Sequence, residues 1–382
     1  MKNSVLPFFV AVSLTFSCIS TAQENRVDTL QFSVESNLLV FEGSLNGVKT
    51  KFAFDTGAGL GVLNTTQVAE SNVTKTGNKN IRDSNDESKT MSNGKIESMQ
   101  IGSYRFSNVE SVIFDMPFLT CQQLYLLGGD VINQLNWKFD FERQQAYVSK
   151  TPFSPSADMS SMSVYFVKNR HFTDIQIGDK TLKKCLIDFG YVGTLEASKK
   201  EPALKAPLKI ELKQQRVIET NTISLGLTSI AVGLNMRTFF IDSIQLGSLS
   251  VPHVKVNIKD DVEKKIGLAF FRDQFSMVIL NNSEHMYWLQ PRTLVVEPTL
   301  GYDADYYLID GKLQLVGKNL RATSTSSSLT IGQEIKSVNG RTAASFSDIC
   351  DFIAWRITQA KLDKLVIETL NGEQLTIPKT TF

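Results

Sequence analysis

Histidine and cysteine are scarce: the chain has three of the first and four of the second in 382 residues. Neither an HExxH nor a CxxC spacing occurs, so a zinc site is not expected and no metal or other cofactor is implied. Charge of one sign is missing too. Lys and Arg total 40 against 39 Asp and Glu, a formal charge of +1, which gives no field to steer nucleic acid or an anionic membrane. No basic patch with interleaved aromatics is present, which argues against nucleic-acid binding. Beyond the N-terminal segment no apolar run is long enough to cross a bilayer.

That first segment, MKNSVLPFFVAVSLTFSCISTAQEN, has a lysine, an apolar stretch from Val5 to about Phe16 and then small residues. It reads as a signal peptide over residues 1–22, cut after Ser20-Thr21-Ala22, so the mature protein is expected to be exported, periplasmic or secreted. A lipoprotein reading through Cys18 fits less well, because Thr15 and Phe16 suit that processing site poorly. The remaining Cys121, Cys185 and Cys350 are far apart and odd in number, so no disulfide framework is expected.

What the sequence does have is a repeat. IESMQIGSYRFSNVESVIFD (Ile96–Asp115) lies over IDSIQLGSLSVPHVKVNIKD (Ile241–Asp260) without a gap. Both read as strand, Gly-Ser turn, strand, with alternating apolar positions. LLGGDVINQL and KIGLAFFRDQF match downstream with one gap. Upstream, GSLNGVKTKFAFDTGAGLGVL lies over IQIGDKTLKKCLIDFGYVGTL. This sets Asp55 against Asp188, Gly57 against Gly190, and Gly61 against Thr194 or Gly193. Residues 28–150 and 160–290 are therefore expected to be two copies of one mostly β module. A pseudo-two-fold axis between the copies brings equivalent loops together, so Asp55 and Asp188 would face each other.

Residues 297–382 lie outside the repeat. Phe346, Ile349, Phe352 and Ile353 fall at helical spacing, and Asn371-Gly372 between apolar alternations marks a hairpin. A separate small α+β domain is expected there.

DTGAG after an apolar strand, followed by the hydrophobic-hydrophobic-Gly elements Leu126-Leu127-Gly128 and Ile266-Gly267, resembles the retropepsin/pepsin superfamily of aspartic proteases over about two thirds of the chain. The last domain resembles a PDZ domain through LTIGQEIKSVNG (Leu329–Gly340). The resemblance implies a mainly β protein: two retropepsin-like β-barrel lobes forming a bilobal aspartic protease fold, then a small PDZ-like α+β domain. It implies catalytic carboxylates at Asp55 and Asp188, with loop support from Thr56, Gly57, Ala58 and Gly190. Leu300, Gly301 and Tyr302 would form the loop that captures a peptide C-terminus by strand addition. Its partners would be peptide or protein substrates.

Two carboxylates in contact can serve as base and acid together, because like charges so close do not both ionise cheaply. The second loop departs from the pattern. In LIDFGYVG, Phe189 stands where the family has Thr and Tyr191 where it has a small residue. Phe189 lacks the hydroxyl that would reach across to the other loop, a loss of about 1 kcal/mol unless packing replaces it. Two alternatives follow from that departure: a peptide-binding pseudoprotease without turnover, and an enzyme whose dyad is made by Asp55 of two chains. The polar segment IRDSNDESKTMSNGK reads as a Gly-tipped hairpin or lid, and its counterpart in the second copy, QQRVIETNTISLGLTSIAVGLN, is more apolar.

Overall fold

A computed structural model describes residues 26–34, 38–83, 85, 87–293, 300–321 and 328–381. The expected signal peptide and Cys18 lie outside the described residues.

The protein is mainly β and bilobal. In the first copy, hairpin Val40–Leu45/Val48–Phe54 delivers the chain to Asp55, and Val48–Phe54 pairs in parallel with Leu124–Leu127. In the second copy, Arg170–Ile177/Lys180–Asp188 does the same, with Lys265–Gly267 as the parallel partner. The two Gly-Ser turns of the gapless repeat tighten at Gly102 and Gly247, with φ of +56° and +58°, a conformation glycine adopts without a Cβ penalty. The strand after each turn buries Phe106 and Val109 in one lobe and Val251 and Val254 in the other, with alternation interrupted at equivalent positions by Asn108 and His253 at positive φ.

Ladder register corrects one detail of the repeat. Gly61 pairs with Ser111 as Leu195 pairs with Val256, and Val62 pairs with Val112 as Glu196 with Asn257. Gly61 therefore answers to Leu195 and not to Thr194 or Gly193, because the second loop carries one extra residue.

A sheet shared by both lobes joins them. Asn136–Asp140 of the first pairs antiparallel with Phe275–Asn281 of the second, setting Trp137 opposite Leu280 and Phe139 opposite Val278. All four side chains are buried in one core that runs through both lobes. At about 25 cal/mol per Å² of apolar surface, such continuity makes the lobes cooperative rather than independent.

Each lobe projects a long hairpin. The first is Thr74–Arg82/Ser88–Ile101, the second Ile218–Leu225/Ile230–Leu246. The first is not tipped by Gly94: its turn lies around Asp83 to Glu87, and Gly94 sits within the strand, where an added methyl would press on Val73 and Ile113.

The C-terminal part is α+β, with its own core of Leu313, Leu315, Val338, Phe352, Ile367 and Ile377. Its helix Ile349–Gln359 starts at Asp348, whose side chain caps the Asp351 amide. Phe346 precedes this helix, although the spacing assigned it to the helical face. Strands Lys364–Thr369 and Gln374–Thr381 form the hairpin, turning at Gly372 with φ of +84°.

Strand pairing, a disulfide and the packing of Ile223 and Val232 of the second hairpin on its core tie this part to the lobes. Strand Lys312–Asn319 pairs with the second hairpin through Thr220↔Asn319 and Asn221↔Lys318, adding an edge to it. Cys121, ending helix Pro117–Cys121 of the first lobe, forms a disulfide with Cys350. The sequence implied no disulfide framework, and this single bond is what that reading missed. Sequence separation carries no distance information, and a buried free Cys185 makes the count odd without bearing on the pair.

Candidate active site

Asp55 and Asp188 end equivalent strands and meet at the lobe junction. Asp55 is fixed by its own loop: Oδ1 accepts the amides of Gly57 at 2.8 Å and Ala58 at 3.0 Å. Asp188 Oδ1 accepts the Gly190 amide at 3.0 Å. Each carboxyl lies against the glycine of the opposite loop. A methyl added at Gly57 would come 2.5 Å from Asp188 Cγ, and one at Gly190 would collide with the Asp55 carboxyl. Glycine at both positions is what lets the two acids approach.

Asp55 is half-buried. Burial and then the charge of Asp188, to which its side chain hydrogen-bonds, push the Asp55 carboxyl up to about 8. The Gly57 and Ala58 amides oppose that rise without cancelling it.

Thr56 is fully buried and bridges the lobes. Its Oγ1 donates to the Ile187 carbonyl at 2.7 Å and accepts the Phe189 amide at 3.1 Å. The second loop returns no hydroxyl. Phe189 instead stacks on Phe271, with ring centroids 4.8 Å apart, and meets Phe54 edge-on at 5.7 Å. One half of a reciprocal hydrogen-bonded grip is thus replaced by aromatic packing. Arg170 of the second lobe adds a further crossing, donating Nε–H to the Gly57 carbonyl at 2.8 Å while pairing with Glu263.

Sequence reasoning missed an ionic cluster behind Asp188. Lys265 Nζ lies 3.7 Å from Asp188 Oδ2 and 3.9 Å from Glu196 Oε1, above the Tyr191 ring at 4.3 Å. Glu196 also binds Lys259 at 2.7 Å and accepts the Tyr191 hydroxyl at 3.1 Å. Tyr191, at the position expected to be small, is thereby a member of the cluster. Lys265 standing over Leu126 in the repeat was the one available signal.

The two hairpins meet tip to tip. Asp83 Oδ2 accepts the Thr228 amide at 3.1 Å, the Thr228 hydroxyl at 2.9 Å and the Ser229 hydroxyl at 2.7 Å. Asn85 Oδ1 accepts the Ser224 hydroxyl at 2.7 Å. Burial works against the charged form of Asp83, yet these donors hold its carboxyl below the usual range.

Leu300-Gly301-Tyr302 belongs to the C-terminal part and to neither aspartate loop. It forms a short strand paired with Lys379 to Thr381. The Tyr302 hydroxyl donates to the Gln359 carbonyl at 2.9 Å and also meets that of Leu362. Beside it, Arg356 of the helix binds Asp305 at 2.9 Å.

Residues 41–131 match the profile of a family described as aspartyl protease. Among solved structures, the aspartic proteinase from Irpex lacteus covers 71% of this chain and 99% of its own, at 12% identity and a TM-score of 0.44. No curated protein matches the chain. From the hairpin before Asp55 through the Leu126-Leu127-Gly128 element, the first lobe is thus similar to the aspartyl proteases.

Proposed function

We propose that the protein is an exported aspartic endopeptidase whose dyad is Asp55 and Asp188 of a single chain. The observation that carries this reading is the pair of equivalent loops, each placing its carboxyl against the other's glycine, with Asp55 raised to about 8. A pair in that condition holds one proton between two acids. Asp188 takes a proton from a water held between the carboxyls, and the resulting hydroxide attacks the peptide carbonyl. Asp55 donates its proton to the carbonyl oxygen, giving a gem-diol; as the C–N bond breaks, the amine takes the proton that Asp188 received and a gem-diol hydroxyl returns one to Asp55. Both carboxyls coming from one chain favours this reading over a dyad assembled from two copies.

The Cys121–Cys350 disulfide supports export, because such bonds persist in oxidising compartments. The C-terminal domain is assigned to peptide recognition as well as to support of the second hairpin. Its strand Ala304–Ile309 ends its sheet, which leaves an edge for strand addition.

The test is cleavage of a peptide library by the mature chain, with and without pepstatin, from pH 3 to 9. Turnover abolished by Asp55→Asn and by Asp188→Asn, and falling as pH rises past about 8 when the shared proton is lost, is the expected result. A fully active Asp188→Asn variant sinks the single-chain dyad. Peptide binding without turnover at any pH gives the pseudoprotease instead.

A further inference from the structure

We infer that Lys265 is a positioning residue for the dyad: anchored by Glu196 and Tyr191, its ammonium holds the shared negative charge on Asp188 and so leaves the proton on Asp55. The inference rests on the proposed dyad and names what makes it unequal.

Backbone geometry alone puts the charge on the other acid. Asp55 accepts two amide hydrogen bonds and Asp188 one, and each such bond favours the ionised form. A cation 3.7 Å from Asp188 Oδ2 outweighs one extra amide, because an opposite charge within about 4–6 Å lowers a carboxyl by about 1–3 pH units. Lys265 is well placed to act this way, with only 14% of its side chain exposed.

Comparison of the lobes isolates the cluster as a feature of the second alone. Leu126 pairs beside Val62 where Lys265 pairs beside Glu196, and the register that equates Ile113 with Ile258 sets Phe114 in the place of Lys259. Val62 belongs to an apolar cluster against which Leu126 and Phe114 pack. Where one lobe has a hydrophobic contact, the other has a chain of alternating charge, Asp188–Lys265–Glu196–Lys259. A buried lysine inserted into an otherwise apolar architecture needs a partner whose charge it serves, and Asp188 is the partner outside the cluster's own anchors.

The other ionisable groups facing the pair do not supply this bias. Arg170 is engaged with Glu263 and reaches the Gly57 carbonyl. Tyr191 stays protonated, since burial and Glu196 push its hydroxyl up. His171, on the strand behind Ile187, is kept neutral by burial, which lowers it to about 3.

The test is a titration of ¹³Cγ-labelled aspartate by NMR in the mature full chain, with Asp55→Asn and Asp188→Asn used to assign the resonances. In the wild type Asp188 follows the lower step of the pair. In Lys265→Leu, which installs the first-lobe residue, the lower step moves up by about one pH unit or more and Asp55 takes the larger share of it. Lys265→Arg restores the wild-type curve. Lys265→Met, which keeps the length of the side chain and removes its charge, moves the lower step up in the same way and serves if Lys265→Leu does not fold. The acid limb of kcat/KM moves with the titration in each variant. Superposable titrations of wild type and Lys265→Leu, or of wild type and Lys265→Met, overturn the inference. If the titrations shift as stated and the wild type cleaves no peptide, the protease reading fails while the charge assignment stands.

Discussion

Replacing Phe189 by Thr restores the family pattern in the second loop, and the structure says this makes the protein worse. The ring is fully buried among Phe54, Phe139 and Phe271. Removing a buried aromatic costs about 3–5 kcal/mol when the site cannot collapse. A neighbourhood of four rings, with Trp137 stacked on Phe139, collapses poorly. The new hydroxyl recovers about 1 kcal/mol at best, since pseudo-symmetry offers it the Phe54 carbonyl and the Thr56 amide. The net expectation for Phe189→Thr is a loss of about 2–4 kcal/mol, which is a large share of a stability of about 5–15 kcal/mol. Urea unfolding followed by Trp fluorescence at fixed pH measures it, because Trp137 lies 4.9 Å from the Phe54 ring and reports on this packing. Phe189→Leu, which keeps most of the volume, loses less. kcat/KM of Phe189→Thr does not rise. A Phe189→Thr protein at least as stable as wild type, with faster turnover, refutes the claim that ring packing has replaced the hydroxyl.

Three further outcomes follow from the same structure. Asp83→Ala removes the acceptor for Thr228 and Ser229, so hydrogen exchange of the Thr228 amide should rise by about tenfold or more. Because the Asp83 carboxyl is lowered in the closed arrangement, wild-type tips lose this contact as pH falls through that range and keep it above. His171 is buried between Tyr287 and Asn133 and lowered from 6.5 to about 3. Between those values the unfolded chain binds a proton that the folded one refuses, so stability drops by up to about 5 kcal/mol as pH falls from 6.5 to 3. His171→Gln should flatten the acid side of the urea-stability profile. Alkylation of the unfolded, unreduced protein should modify Cys185 but neither Cys121 nor Cys350. The paired Ser variant should unfold at lower urea, by up to about 5 kcal/mol in the chain-entropy limit for a closed loop of 229 residues.

The lobes and the meeting of Asp55 with Asp188 were legible because both rest on a repeat. Two similar strings fold alike, and a two-fold relation makes equivalent loops neighbours. Gly57 and Gly190 were legible for the same reason. What the repeat could not give was whatever differs between its copies. The extra residue before Leu195 shifted the alignment by one, and only ladder pairing resolves it. Lys265 was hidden inside a hydrophobic-hydrophobic-Gly element whose other members matched. The Cys121–Cys350 bond and the strand pairing at Thr220 and Asn221 join distant segments. No local propensity or periodicity encodes which partner a surface edge will find.

The departures from symmetry share one physical logic. In a dimer of identical lobes, any residue near one aspartate appears near both. A lysine at the position of Lys265 would then set two cations against a pair that, in the proposed dyad, carries a single negative charge. That arrangement favours double ionisation and removes the shared proton. Phenylalanine at both Thr positions would delete both crossing hydroxyls, leaving no counterpart to the Thr56 bonds to Ile187 and Phe189. A strand added to both hairpin edges would need a second C-terminal domain. The lysine and the ring are tolerable once and harmful twice. Joining the copies in one chain therefore permits one loop to keep the hydroxyl grip while the other takes the ring, the lysine and the added strand.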